Sequence, residues 1–180
     1  MQIDDPEEIR WSGKFITART RGKWEYVTRA RGIRAAVILA IDEHDHVILV
    51  EQYRVPLQRR CLELPAGLIG DDEGAEGEDA LAAAARELEE ETGYRAERIE
   101  SLGEFYSSPG MVSESFTLVR AHGLGKVGPG GGTDSEEIEV HRVPLSGIAD
   151  FVESARARGL GIDVRVLMLL AGGIVGGQSK

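Results

Sequence analysis

A chain of 180 residues, 42% hydrophobic and 29% charged, suits one soluble domain large enough to bury a core. Its net charge of −10 discourages binding to a nucleic-acid backbone, which rests on clustered lysine and arginine, so no nucleic-acid partner is expected. Cys61 is the single cysteine, which excludes an intrachain disulfide and a cysteine-based zinc site and agrees with a reducing compartment.

The acidic opening, MQIDDPEEIR, lacks the basic start and apolar stretch of an export signal, and a cytoplasmic location is expected. Residues 15–19 and 24–29 read as two strands joined by a turn at Arg21-Gly22. Residues 33–41 are apolar except for Arg34, a run of strand length that should be buried on both faces. A polar turn at 42–45 leads to a partner strand over 46–53. His44 and His46 lie in that hairpin turn without a third ligand and read as exposed. Strand-like stretches follow at 99–105, 116–121 and 138–143, and the chain turns helical from Pro144 through Val152 and again over 164–170. The apolar run 167–175 is well short of the ~20 residues a membrane helix needs, so no membrane partner is expected. Strands with helices between and after them predict a mixed α/β layered fold. Residues 123–132, GLGKVGPGGG, have the composition of a flexible loop. They are not a Walker phosphate loop, because Lys126 precedes Val127 rather than Ser or Thr. His122 and His141 carry no argument for function.

Between Asp71 and Glu91 stand ten acids and one base, Arg86, so this block holds −9 of the net charge of −10. Such a block is either a solvated helix face or a site for several cations. Residues 78–92 predict a helix, with alanine-rich residues 80–85 as strong helix formers and Gly93 where a left-handed stop residue belongs. At ~100° per residue, Glu87, Glu90 and Glu91 share one arc beside an apolar stripe of Leu81, Ala84, Ala85 and Leu88, and Glu89 falls on the far side. Arg86 lies one turn before Glu90 and is placed to hold its carboxylate. Like charges this close repel one another. Hard divalent cations offset that, since they take oxygen ligands from carboxylates and from substrate phosphate.

Gly67, Glu78 and, after seven residues, Arg86-Glu87-Leu88-Glu89-Glu90-Glu91-Thr92-Gly93-Tyr94 resemble the Nudix box. Ten residues rather than the family's five separate Gly67 from Glu78. Glu73 keeps the usual distance from Gly67 and Glu78 the usual distance from the helix, so the first-half glutamate stays open between them. The resemblance implies a Nudix α/β/α sandwich, a mixed sheet between helices, with an extra N-terminal antiparallel β layer. The division would be N-terminal strands 1–32, for dimerisation and adenine binding, and a hydrolase domain 33–180.

The runs Val50-Glu51-Gln52-Tyr53-Arg54-Val55-Pro56 and Leu62-Glu63-Leu64-Pro65-Ala66-Gly67, with Ser108-Pro109-Gly110 before Glu114, resemble the ADP-sugar pyrophosphatase branch. That branch implies metal-dependent hydrolysis of ADP-ribose to AMP and ribose 5-phosphate. By the same resemblance the Ala66 carbonyl, Glu87 and Glu91 bind the metal, Mg²⁺ with Mn²⁺ or Zn²⁺ as alternatives, and Glu90 is shared or stands behind them. Arg86 supports Glu90, Arg54 contacts the diphosphate, and Gly110 and Glu114 join the substrate site. The cluster Asp134-Ser135-Glu136-Glu137 resembles the loop that supplies the catalytic base, and register favours Glu136. Phe15 and Trp24 would clamp the adenine, Glu25 would accept from its amino group, and Arg29 would reach phosphate. The branch exchanges its N-terminal strands between subunits, which implies a homodimer. Another nucleoside diphosphate sugar such as GDP-mannose, a sensor that binds ADP-ribose without cleaving it, and a sanitiser of damaged triphosphates are the alternative readings.

Overall fold

The computed structural model describes residues 5–29, 33–69, 79–132 and 137–175, with eleven strands and three α-helices among them. β1 (Glu7–Ser12), β2 (Ile16–Arg21) and β3 (Trp24–Arg29) form an antiparallel sheet in the order β1-β2-β3. The expected two-stranded unit therefore has a third member. All six residues of β1 are exposed, so no buried alternation marked it in the sequence.

β4 (Arg34–Ala40) is the centre of a four-stranded sheet ordered β7-β4-β9-β8, with β7 (Ala66–Ile69), β8 (Tyr94–Tyr106) and β9 (Ser115–Lys126). It runs parallel to β9 and antiparallel to β7. A second sheet is ordered β10-β5-β6-β11, from β5 (His46–Arg54), β6 (Arg59–Glu63), β10 (Glu139–Pro144) and the short β11 (Gly161–Ile162), with only β11 parallel to its neighbour. An isolated antiparallel bridge between Ile41 and Val47 joins β4 to β5.

Side-chain alternation along β4 and β5 sorts the core into two layers. Ala36, Ile38, Ala40 and Ile48 pack with Ala83, Ala84 and Leu88 of α1 (Ala80–Thr92). Val37, Val47 and Leu49 pack with Ile148, Val152 and Ala155 of α2 (Ile148–Ala157). Helices thus cover both faces, the α/β/α layering expected, and β4 is apolar throughout its interior because neither face meets water. α3 (Leu167–Val175) follows a 3₁₀ turn at Val164–Val166, so the last helix begins three residues later than its apolar pattern suggested. Among the described residues no helix is long and apolar enough to cross a membrane.

The three-stranded sheet joins the rest through β3. Val27 donates its amide to the Met111 carbonyl at 2.9 Å and accepts from the Ser113 amide at 3.0 Å, which brings the stretch 108–114 alongside it.

Candidate active site

The site begins with the ends of α1. Asp79 caps its start, accepting from the amides of Leu81 and Ala82, both at 3.2 Å, which satisfies donors that the first turn leaves open. Gly93, with φ 68°, closes it in the left-handed conformation that suits glycine. The buried residues of α1 are Ala83, Ala84, Leu88, Glu91 and Thr92, whereas Ala85 is exposed and Leu81 only half-buried. The buried stripe is therefore turned toward Glu91 relative to the expected one, and that carboxylate lies within the stripe rather than beside it.

β7 passes over the same part of the helix. A Cβ on Gly67 would stand 2.0 Å from both Cγ and Cδ of Glu87, so only a hydrogen leaves that side chain room to cross the strand. Glu91 is 4% exposed, and its Oε2 accepts from the Ala66 amide at 3.0 Å. Arg86 Nη1 bridges Glu87 Oε1 at 2.8 Å and Glu90 Oε2 at 3.2 Å, so the expected Arg86–Glu90 pair forms and takes in Glu87 as well. Glu90 itself is exposed. Glu89, on the far side, is held by the Arg95 fork at 2.8 and 2.9 Å.

Ala66, Gly67, Glu87 and Glu91 face a cleft of about 710 Å³ that also takes in Arg29, Arg54 and Glu114. Arg54 places Nε and Nη2 each 2.7 Å from one oxygen of Glu63, a buried carboxylate, and this pairing raises the guanidinium's pKa further. Arg29 donates to Glu114 at 2.5 Å. The N-terminal sheet and the 108–114 stretch thus share one ion pair at the cleft. Gly110 is exposed in that stretch, with open space where a side chain would stand.

The structure does not bring all the expected substrate residues together. Trp24 pairs with Arg21 at the hairpin turn, while Phe15 adjoins the opposite end of β2, where Ile16 pairs with Arg29. The two rings are 53% and 56% exposed and neither lines the cleft. Within one chain they form no clamp. Glu25 faces a separate hollow of about 330 Å³ with Tyr26, Val27 and Met111. Glu136, its neighbours Asp134 and Ser135, and both candidate first-half glutamates, Glu73 and Glu78, lie outside the described residues.

Several cleft residues carried no expectation. Asp163 and Arg165 form a fork pair at 2.6 and 2.8 Å, Arg165 lies 5.6 Å over the Phe116 ring, and its Nη2 is 3.8 Å from Glu63. Burial works to raise the Asp163 pKa, but the Arg165 bonds outweigh it and the net shift is downward. The signal for Glu63 was a charge set between Leu62 and Leu64, at the buried end of β6. The Asp163–Arg165 pair had no such signal, because Asp163 fell between the two expected helices and Arg165 inside the second, where the chain instead makes a 3₁₀ turn capped by Asp163.

Carboxylates of Glu87 and Glu91 beside the Ala66 backbone offer hard oxygen donors, the kind that Mg²⁺ and Mn²⁺ take. The sulfur and imidazole ligands that zinc favours are missing from this set. Among the described lining residues there is no histidine, and burial, with Glu63 and Asp163 nearby, pushes the Cys61 thiol up to about 12, so it stays protonated. A second cluster, Glu51, Glu139 and His141, has ligand atoms within 4.8 Å of one another. Glu51 already receives Arg60 at 2.7 Å, His141 at 3.2 Å and Arg158 at 3.3 Å, a neutralised ion-pair network with little charge left for a cation.

Fold and site together define an α/β/α domain that gathers oxygen donors on a helix opposite guanidinium groups, the make-up of a protein that handles phosphate with a divalent cation. The NUDIX domain family model matches residues 31–158, and the chain belongs to that family. It is 37% identical over 123 residues to the methanol dehydrogenase activator of Bacillus methanolicus, covering 68% of this chain and 64% of that protein. It is 36% identical over 121 residues to the ADP-ribose pyrophosphatase of Bacillus subtilis, covering 67% and 63%. The chain thus matches slightly less than two thirds of the length of these two relatives. A crystal structure of an ADP compounds hydrolase superposes with a TM-score of 0.69 at 25% identity, covering 96% of this chain and 94% of that one.

Proposed function

We propose that this protein hydrolyses the diphosphate of ADP-ribose to AMP and ribose 5-phosphate, with Mg²⁺ as the working cation. The observation that carries the reading is the single cleft in which Glu87, Glu91 and Ala66 meet Arg54 and Arg29. Glu87, Glu91 and the Ala66 carbonyl hold the cation, and Glu90 stands behind them on Arg86. When bound, the cation supplies Lewis acidity toward the phosphoryl oxygens and lowers the pKa of a bound water. Arg54, held in register by Glu63, grips the diphosphate with a planar fork that matches two phosphate oxygens. Arg29 reaches the same group once substrate competes with Glu114 for it, and Gly110 keeps the backbone open to substrate beside Glu114. Glu136 takes the proton from the attacking water.

The adenine is held by stacking on Phe15 and Trp24, with Glu25 accepting from its amino group. Because these rings stand apart in one chain, the reading requires a homodimer with exchanged N-terminal strands, in which an aromatic of one protomer completes the other's pocket beside that protomer's own Arg29. The protein is placed in the cytoplasm, without nucleic-acid or membrane partners. The similarity to the Bacillus subtilis ADP-ribose pyrophosphatase supports the substrate.

The test is a side-by-side panel of ADP-ribose, GDP-mannose and an oxidised nucleoside triphosphate with Mg²⁺, scored by AMP, GMP and pyrophosphate release. ADP-ribose should give the highest kcat/KM, with AMP as product. Faster GMP release from GDP-mannose would overturn the substrate, and binding of ADP-ribose without product would overturn the reaction.

A further inference from the structure

Glu87, Glu90 and Glu91 occupy the last two turns of α1, the end at which the macrodipole is already negative, and the last turn holds no basic residue. Arg86 answers Glu87 and Glu90 from within the helix, and the groups that answer its C-terminal end come from outside it. Lys126, at the end of β9, brings Nζ to 2.8 Å from the Thr92 carbonyl oxygen and 3.3 Å from that of Pro129, with the Tyr94 ring centroid 4.7 Å away. The chain then folds back across the helix end. Val127 and Gly128 donate their amides to the Gly93 carbonyl at 2.8 and 3.1 Å, Gly131 to that of Glu91 at 2.8 Å, and Gly132 to that of Glu90 at 3.0 Å. Carbonyls that helix geometry leaves without partners are met in this way.

Glycine is needed for such contact. A Cβ on Gly130, at φ +70°, would stand 2.4 Å from the Thr92 carbonyl carbon, and one on Gly93 would stand 2.2 Å from the Gly128 oxygen. The segment whose composition predicted a flexible loop is, over residues 127–132, a strap hydrogen-bonded to the helix that carries the site.

We propose that Lys126 and this strap position the cation ligands, holding the backbone of Glu90 and Glu91 so that the Glu91 carboxylate keeps its place at Ala66 and the Glu87 side chain its place at Gly67. The inference rests on the reading of Glu87 and Glu91 as ligands. Lys126 is a positioning residue, since it acts through the Thr92 carbonyl and the negative helix end. Two physical effects of losing it have opposite signs. By Coulomb's law alone, removing a positive charge near an anionic site tightens cation binding. Loss of positioning loosens it.

The experiment measures Mn²⁺ binding to the full chain by electron paramagnetic resonance, without nucleotide, for wild type, Lys126→Met, Lys126→Arg, Gly130→Ala and Glu91→Gln. Lys126→Met should weaken binding roughly tenfold, the lower end of the range for residues that orient metal ligands. Lys126→Arg, which keeps the charge and can donate to the same carbonyl, should stay close to wild type. Gly130→Ala should weaken binding with the lysine intact. Unchanged or tighter Mn²⁺ binding by Lys126→Met, with Glu91→Gln impaired, overturns the positioning role and leaves the cation site standing. Wild-type binding by Glu91→Gln overturns the site, and the strap's role with it. Weakened binding in a protein that turns over no ADP-ribose would sink the substrate reading alone.

Discussion

A methyl group at position 67 would occupy the space that Glu87 fills. Gly67→Ala should therefore push the Glu87 carboxylate off the cleft while sparing the core, and a displacement of about 1 Å in such a group can cost ~10²-fold in rate. Steady-state turnover of ADP-ribose beside a urea melt tests this, and full turnover with the melt unchanged would contradict it. Glu91→Gln keeps the shape and an oxygen for the Ala66 amide but removes the charge. Turnover should drop by orders of magnitude with folding stability preserved. Near-normal activity at saturating Mg²⁺ would remove Glu91 from the ligand set. Arg54→Lys trades a two-bond fork for a point charge, so the buried Glu63 loses its paired bonds, with Arg165 3.8 Å away as a second cation. The expected result is a higher KM for ADP-ribose and a stability loss of about 1–3 kcal/mol, read from the urea midpoint.

At the scale of elements, β5, β6, β10 and α2 are tied together by Glu51, which meets Arg60, His141 and Arg158. Burial works to raise its pKa, but these partners outweigh it and the net shift is downward. A carboxylate lowered in the fold adds stability above its unfolded pKa, about 4.3, and that share is lost as pH falls through the folded value. Urea midpoints recorded from pH 7 down to pH 3 should fall less steeply for Glu51→Gln than for wild type, and equal slopes would show that the network carries no proton linkage. This network was not legible beforehand, since its members are far apart in sequence and each looks like an ordinary surface charge. α1 was legible because its alanine run, stop glycine and carboxylate spacing are all local, although its start, expected at residue 78, falls at Ala80 behind the Asp79 cap. The rotation of its buried stripe was not, because strands distant in sequence, β4, β7 and β8, decide which face of the helix is covered. β4 and β5 announced themselves through burial on both faces. β1 and β11 left no trace, the first because it is wholly exposed and the second because it is two residues long. The Arg54 end of the cleft was readable from motif resemblance. Its Asp163–Arg165 end depends on a turn that only the folded chain creates.

For the molecule as a whole, the N-terminal sheet is the part least supported by its own core. Ile9, Trp11, Phe15 and Trp24 are all exposed on or beside it, and a small sheet without a covered face is marginal in water. A twofold partner is the commonest cover for such a surface. Deleting residues 1–30 should cost both dimerisation and ADP-ribose hydrolysis, although every residue of the Nudix box remains. Sedimentation and turnover measured together test the point, and a truncated monomer working at the full rate would refute the shared site. Trp24→Ala should raise KM by the loss of a stack of ~1–3 kcal/mol while Mn²⁺ binding survives.

The pairing of β4 with β9 sets a timetable for folding. Ala35 lies opposite Phe116, so 116 − 35 = 81 positions of chain must be laid down and looped before the central parallel contact can close. Hairpins such as β2–β3 and β8–β9 can form early, because their loops are short and cost little entropy to close. The β4 strand, apolar on both faces, has to wait with its edge open until β9 arrives. Refolding after a denaturant jump should accordingly be slow for a chain of this size, in the range of milliseconds to seconds, with hairpin signals preceding burial of the β4 core. In that interval the unpaired strand is the segment most exposed to pairing with another chain, and recovery of native protein should fall as concentration rises.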